Sequence, residues 1–92
     1  MGIYIIVIEW EEGKIPEISA LEGLLDSNFS WLKLTETSYL IKSVNTTIEI
    51  RNYISSKLTN IRRLFVGEMN TSAAWKSMMA GSEAIKNLYE NE

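Results

Sequence analysis

The chain has no cysteine and no histidine among its 92 residues. Without thiols there can be no disulfide staple, and without either residue the usual zinc ligand sets are excluded. The lack of histidine also removes the commonest activator of a nucleophilic side chain. Proline occurs once and the five glycines are scattered, so there is no glycine-rich loop to cradle a phosphate. No apolar run approaches the roughly eighteen residues that a membrane-spanning helix needs. A basic excess is missing too: nine Lys and Arg stand against twelve Asp and Glu, a formal charge of −3. Nucleic-acid binders draw affinity from phosphate neutralisation, so this balance counts against a stand-alone binder. The opening segment has no basic lead-in, and its apolar run ends in Glu9-Trp10-Glu11-Glu12. That is not a signal-peptide pattern, and a soluble cytoplasmic protein is expected.

What is present fits one globular domain over residues 1–92, with 46% apolar residues and an ordinary aromatic share. A chain this short buries a modest share of its surface and is only marginally stable. Its missing staple must come from good packing or from a partner subunit.

Ile3-Tyr4-Ile5-Ile6-Val7-Ile8 is apolar, β-branched and aromatic, with no polar alternation. It reads as a strand covered on both faces or lying at the sheet centre. A charged loop turns at Gly13, and Pro16 opens a helix over about residues 16–26, with Ile18, Leu21, Leu24 and Leu25 on one stripe. Asp26-Ser27-Asn28 stops it, because each prefers local side-chain-to-backbone bonds. Trp31–Leu34 and Ser38–Lys42 read as antiparallel strands joined at Thr35-Glu36-Thr37. Thr46 and Glu49 have capping-box spacing, and Ile50, Ile54 and Leu58 follow on one helical face. Ile61–Val66 is the last strand of a core spanning residues 3–66, and Gly67-Glu68-Met69-Asn70 is expected to turn the chain. Thr71 or Ser72 then caps a helix over about residues 72–90, carrying Trp75, Met78, Met79 and Ile85 on one side and Gly81 in its middle. The order strand-helix-strand-strand-helix-strand makes a small α+β sandwich.

Several clusters bear on chemistry. Glu9, Glu11 and Glu12 offer oxygen ligands to a divalent cation, or form a solvated loop beside a buried strand. Arg62 and Arg63, with Lys33, Lys42 and Arg51, offer a patch for nucleic acid or an acidic partner, or protect a sheet edge. Trp10, Trp31 and Trp75, with Tyr4 and Tyr39, are stacking faces for bases or parts of a core or interface. Trp75 with Met69, Met78 and Met79 suits an interface, since methionine adapts to irregular surfaces.

Three stretches carry a family resemblance: Trp31-Leu32-Lys33-Leu34-Thr35-Glu36-Thr37-Ser38-Tyr39-Leu40-Ile41-Lys42, then Glu49-Ile50-Arg51, then Arg63-Leu64-Phe65-Val66-Gly67-Glu68-Met69. Together they resemble small bacterial and phage ferredoxin-like proteins related to the second CRISPR-associated protein, the dimeric small subunit of spacer acquisition. The resemblance covers about the first two-thirds of the chain. It implies a ferredoxin-like βαββαβ fold, strand order four-one-three-two, and a homodimer. Some members of that family are credited with metal-dependent nuclease activity through an Asp ending the first strand. Here Glu9-Trp10 holds that place, so the motif is not kept. The family's tail is often a further strand paired with the partner, whereas a helix is expected here.

Two functions follow as expectations. The first is a non-catalytic homodimeric binding module of bacterial or phage defence or counter-defence, with a protein partner and an interface of Trp75, Met78, Met79 and Ile85. It needs no cofactor. The alternative is a metal-dependent nuclease or nucleic-acid-binding subunit, with Glu9 as its candidate and magnesium or manganese as its ion. A ligand-binding regulatory domain is a third option that fold alone cannot argue.

Overall fold

The computed structural model describes residues 1–69 and 73–90. Four antiparallel strands, β1 (Gly2–Trp10), β2 (Ser30–Thr35), β3 (Ser38–Ser43) and β4 (Ile61–Met69), form one sheet in the order β2-β3-β1-β4. Helices α1 (Ile18–Asn28) and α2 (Thr47–Lys57) supply the two crossovers, and α3 (Ser82–Glu90) follows β4. This is the ferredoxin-like βαββαβ arrangement with an extra C-terminal helix.

Strand alternation sorts the apolar residues onto two faces. Tyr4, Ile6 and Ile8 of β1, with Tyr39 and Ile41 of β3, pack against Leu21 and Leu25 of α1 and Ile50 and Ile54 of α2. All of these are buried, and Leu58, just past α2, closes the same cluster. The other face of β1 carries Ile3, Ile5 and Val7, the last 40% exposed. β1 lies inside the sheet, between β3 and β4, as expected from its unbroken apolar run; one of its faces is sealed and the other is sealed in part.

Helix ends follow local side-chain chemistry. Thr46 and Glu49 make the expected capping box: Glu49 N donates to Thr46 Oγ1 at 3.1 Å, and Thr46 N to Glu49 Oε1 at 2.8 Å. Helix α1 begins at Ile18 rather than Pro16, and the Glu17 carboxylate before it accepts from the backbone N–H groups of Thr59 and Asn60 at 2.8 and 2.6 Å. Asp26-Ser27-Asn28 forms the last turn instead of stopping the helix. Ser27 Oγ and Asn28 Nδ2 bond back to the carbonyls of Gly23 and Leu24, so their local bonding is spent inside the helix.

Two expectations past Val66 are corrected. Gly67, Glu68 and Met69 extend β4 instead of turning, because Ile5, Tyr4 and Ile3 of β1 lie opposite as ladder partners. The C-terminal helix starts at Ser82, not near residue 72. Residues 73–81 are irregular, with Ser77 at φ 56° and Met79 N donating to Leu34 O of β2 at 3.0 Å. Gly81 precedes the helix, where its backbone freedom costs nothing to helix propagation, and its carbonyl accepts from Ile85 N. The caps expected at Thr71 or Ser72 lie outside the described residues. No helix among the described residues is long and apolar enough to cross a membrane.

Candidate interaction surface

The sheet face turned away from α1 and α2 divides in two. Residues 73–79 and α3 cover the β2–β3 side. Ile85 is 2% exposed and Leu88 9%. Ile85, Trp75 and Met78 line a half-open apolar cavity of about 170 Å³ with Ile5, Leu34 and Leu40. Lys42 also lies on this side: it is buried, lines a cleft with Leu88, and its Nζ has no hydrogen-bond partner among the described residues.

The β1–β4 side stays open. Val7 and Phe65 are direct cross-strand partners, and Phe65 is 61% exposed. Its ring lies over Gly67, where an added Cβ would come within 2.7 Å of it. Only a residue without a side chain leaves the phenyl group that space. Beside this apolar pair, Arg63 faces Glu9 across the ladder and donates to its carboxylate. A bulge between Glu9 and Trp10 leaves Arg62 as the extra residue of β4, its Nη1 4.0 Å from the same carboxylate. The hydrogen bond from Arg63 holds the Glu9 carboxyl below its ordinary range.

The basic residues singled out in the sequence occupy four places rather than one patch, Arg51 being exposed on α2 and donating to Asn52 Oδ1. Arg62 and Arg63 sit on the edge strand with Glu9. Lys33 lies on the helix-bearing face, paired with Glu22 of α1 at 2.9 Å and 3.8 Å from Glu36. Lys42 is buried on the opposite face. Among the described residues no group of three acidic side chains is positioned to hold a metal ion, and the Glu9 carboxylate is engaged by Arg63. Tyr4 and Tyr39 are buried, and Trp10 and Trp31 are partly buried against the core. Trp31 Nε1 donates to Asp26 at 3.3 Å and Tyr39 Oη to Glu22 at 2.9 Å, fixing both to α1.

Comparison with family models, curated proteins and solved structures finds no match. The surface must therefore be read from its own geometry. The expected interface set is split by the irregular segment: Ile85 is buried in its own chain, Trp75 and Met78 are half-buried, and Met79 is exposed. Sequence reasoning missed Val7 and Phe65. Period-two alternation along β4 places Phe65 on the same face as Arg63 and Gly67, away from α1 and α2, and was the available signal.

Proposed function

We propose that this chain is a non-catalytic binding module that works as a homodimer and acts through macromolecular contacts. Bacterial or phage defence or counter-defence is its setting, with the cytoplasm as its compartment. The observation that carries this reading is the open β1–β4 side, where a nine-residue edge strand and the exposed Val7–Phe65 pair lie together. Long edges and exposed apolar pairs of this kind are resolved by association. The family resemblance in residues 31–42, 49–51 and 63–69 supports the dimer and the defence setting.

Light scattering at micromolar concentration tests the reading, with an expected mass of twice the 10.5 kDa of one chain. Incubation with DNA or RNA in magnesium or manganese is expected to leave the nucleic acid intact. Cleavage that disappears in Glu9→Ala would overturn the non-catalytic reading in favour of a metal-dependent nuclease.

A further inference from the structure

The two edges of the sheet differ. At β2, the edge is engaged by the chain itself through Met79 N and Leu34 O. At β4, no strand among the described residues occupies the outer edge. Charge along β4 runs one way, with Arg62 and Arg63 near its start and Glu68 near its end. We propose that β4 pairs antiparallel with β4 of a second copy, about a two-fold axis at Phe65, so that two four-stranded sheets become one of eight strands. This rests on the homodimer reading above and specifies its interface.

Charge and shape select the occupant and the register. Antiparallel pairing sets the basic start of one strand against the acidic end of the other, and two-fold symmetry repeats the match. Centred on Phe65, the register brings Arg62 level with the partner's Glu68. Glu68 has no ion-pair partner among the described residues, and the one ion-pair contact of Arg62 is the 4.0 Å approach to Glu9. Shifting the axis to Val66 would set Leu64 opposite a partner glutamate, and shifting it to Leu64 would carry Glu68 past Ile61 to Asn60. In the Phe65 register Leu64 instead meets the partner's Val66. Arg63 comes level with the partner's Gly67, beside the Phe65 ring that lies over that glycine. The two Phe65 rings, exposed in the single chain, adjoin at the axis. The bulge at Arg62 ends the regular edge there, so the ladder runs from Arg63 to Gly67 on each copy.

Because the chain has no cysteine, a single introduced thiol reports on the axis without background. Opposed residues of an antiparallel pair have Cα atoms about 4.5–5.5 Å apart, within disulfide range. Phe65→Cys is therefore expected to form a covalent dimer on mild oxidation. Met69→Cys is expected to form none, since its twin would lie about 27 Å away at the rise of an extended strand. Arg62→Glu and Glu68→Arg, each alone, should raise the dimer dissociation constant about tenfold, and the double variant should restore it. A dimer that ignores both charge reversals and fails to cross-link at position 65 overturns this interface and leaves the homodimer reading standing. A wild-type chain that stays monomeric across the micromolar range removes the homodimer reading itself.

Discussion

Replacing Ile85 by Ala and, separately, Phe65 by Ala should divide the second sheet face into its covered and open halves. Ile85 is 2% exposed and packs beside an existing cavity of about 170 Å³. Truncation removes three carbons and enlarges a space that the sheet below cannot collapse to fill. Such core truncations cost about 2–4 kcal/mol. For a domain of this size that corresponds to roughly 10–25 °C in the midpoint of thermal unfolding. Phe65 is 61% exposed in the single chain, so its truncation should cost under about 1 kcal/mol of monomer stability. Urea unfolding by tryptophan fluorescence, in protein dilute enough to remain monomeric, measures both. A loss under about 0.5 kcal/mol for Ile85→Ala, within the range of ordinary surface changes, would refute the docking of α3 on its own sheet. An equal loss for the two variants would refute the division.

Other perturbations test separate parts of the fold. Thr46→Ala removes the acceptor of the Glu49 N–H bond and should cost about 1 kcal/mol in the same unfolding assay. Lys42→Met keeps a long apolar stem while removing an ammonium without a described partner, and should raise stability by roughly 1 kcal/mol. The Glu22 carboxyl is held below its ordinary 4.5 by hydrogen bonds from Lys33 and then Tyr39, against opposing burial. Its folded pKa lies below its unfolded one, so its contribution is complete above pH 4.5 and is lost as pH falls through the lowered value. Acid unfolding of Glu22→Gln should accordingly show a shallower pH dependence in that range. Burial, with Glu22 beside it, pushes the Tyr39 phenol above its ordinary 10.0, so the unfolded chain loses that proton first. Stability should decline as pH rises past 10.0, and Tyr39→Phe should lessen the decline.

Much of the fold was legible because local signals agreed with one another. Ile6, Ile8, Leu21, Leu25, Ile50 and Ile54 have strand or helix spacing, and all enter the core. The Thr46–Glu49 box is a short-range device, fixed by four consecutive residues. Misreadings arose where distant partners decide. Gly67 resembles a turn residue in isolation, but Ile5 opposite and the Phe65 ring above make it part of a strand. Residues 73–81 carry helical spacing of Trp75, Met78 and Met79, yet the bond from Met79 N to Leu34 and the position of Gly81 delay the helix to Ser82. The interface set drawn from that spacing is divided for the same reason, with Ile85 buried in its own chain and Met79 exposed. An amphipathic stripe shows that a segment covers something apolar, and here much of what it covers is the chain's own sheet. Lys33 and Lys42, nine positions apart in the sequence, were grouped with Arg62 and Arg63 by sign alone. The two lysines lie on opposite faces, a consequence of strand register that composition does not carry.

Amide hydrogen exchange along β4, followed as a function of protein concentration, tests most directly whether its outer edge receives a second copy. The account predicts that outward-facing amides between Arg63 and Gly67 slow as concentration rises, while amides of β2 stay unchanged. Exchange along β4 that is independent of concentration, or a slowing confined to β2, would contradict it.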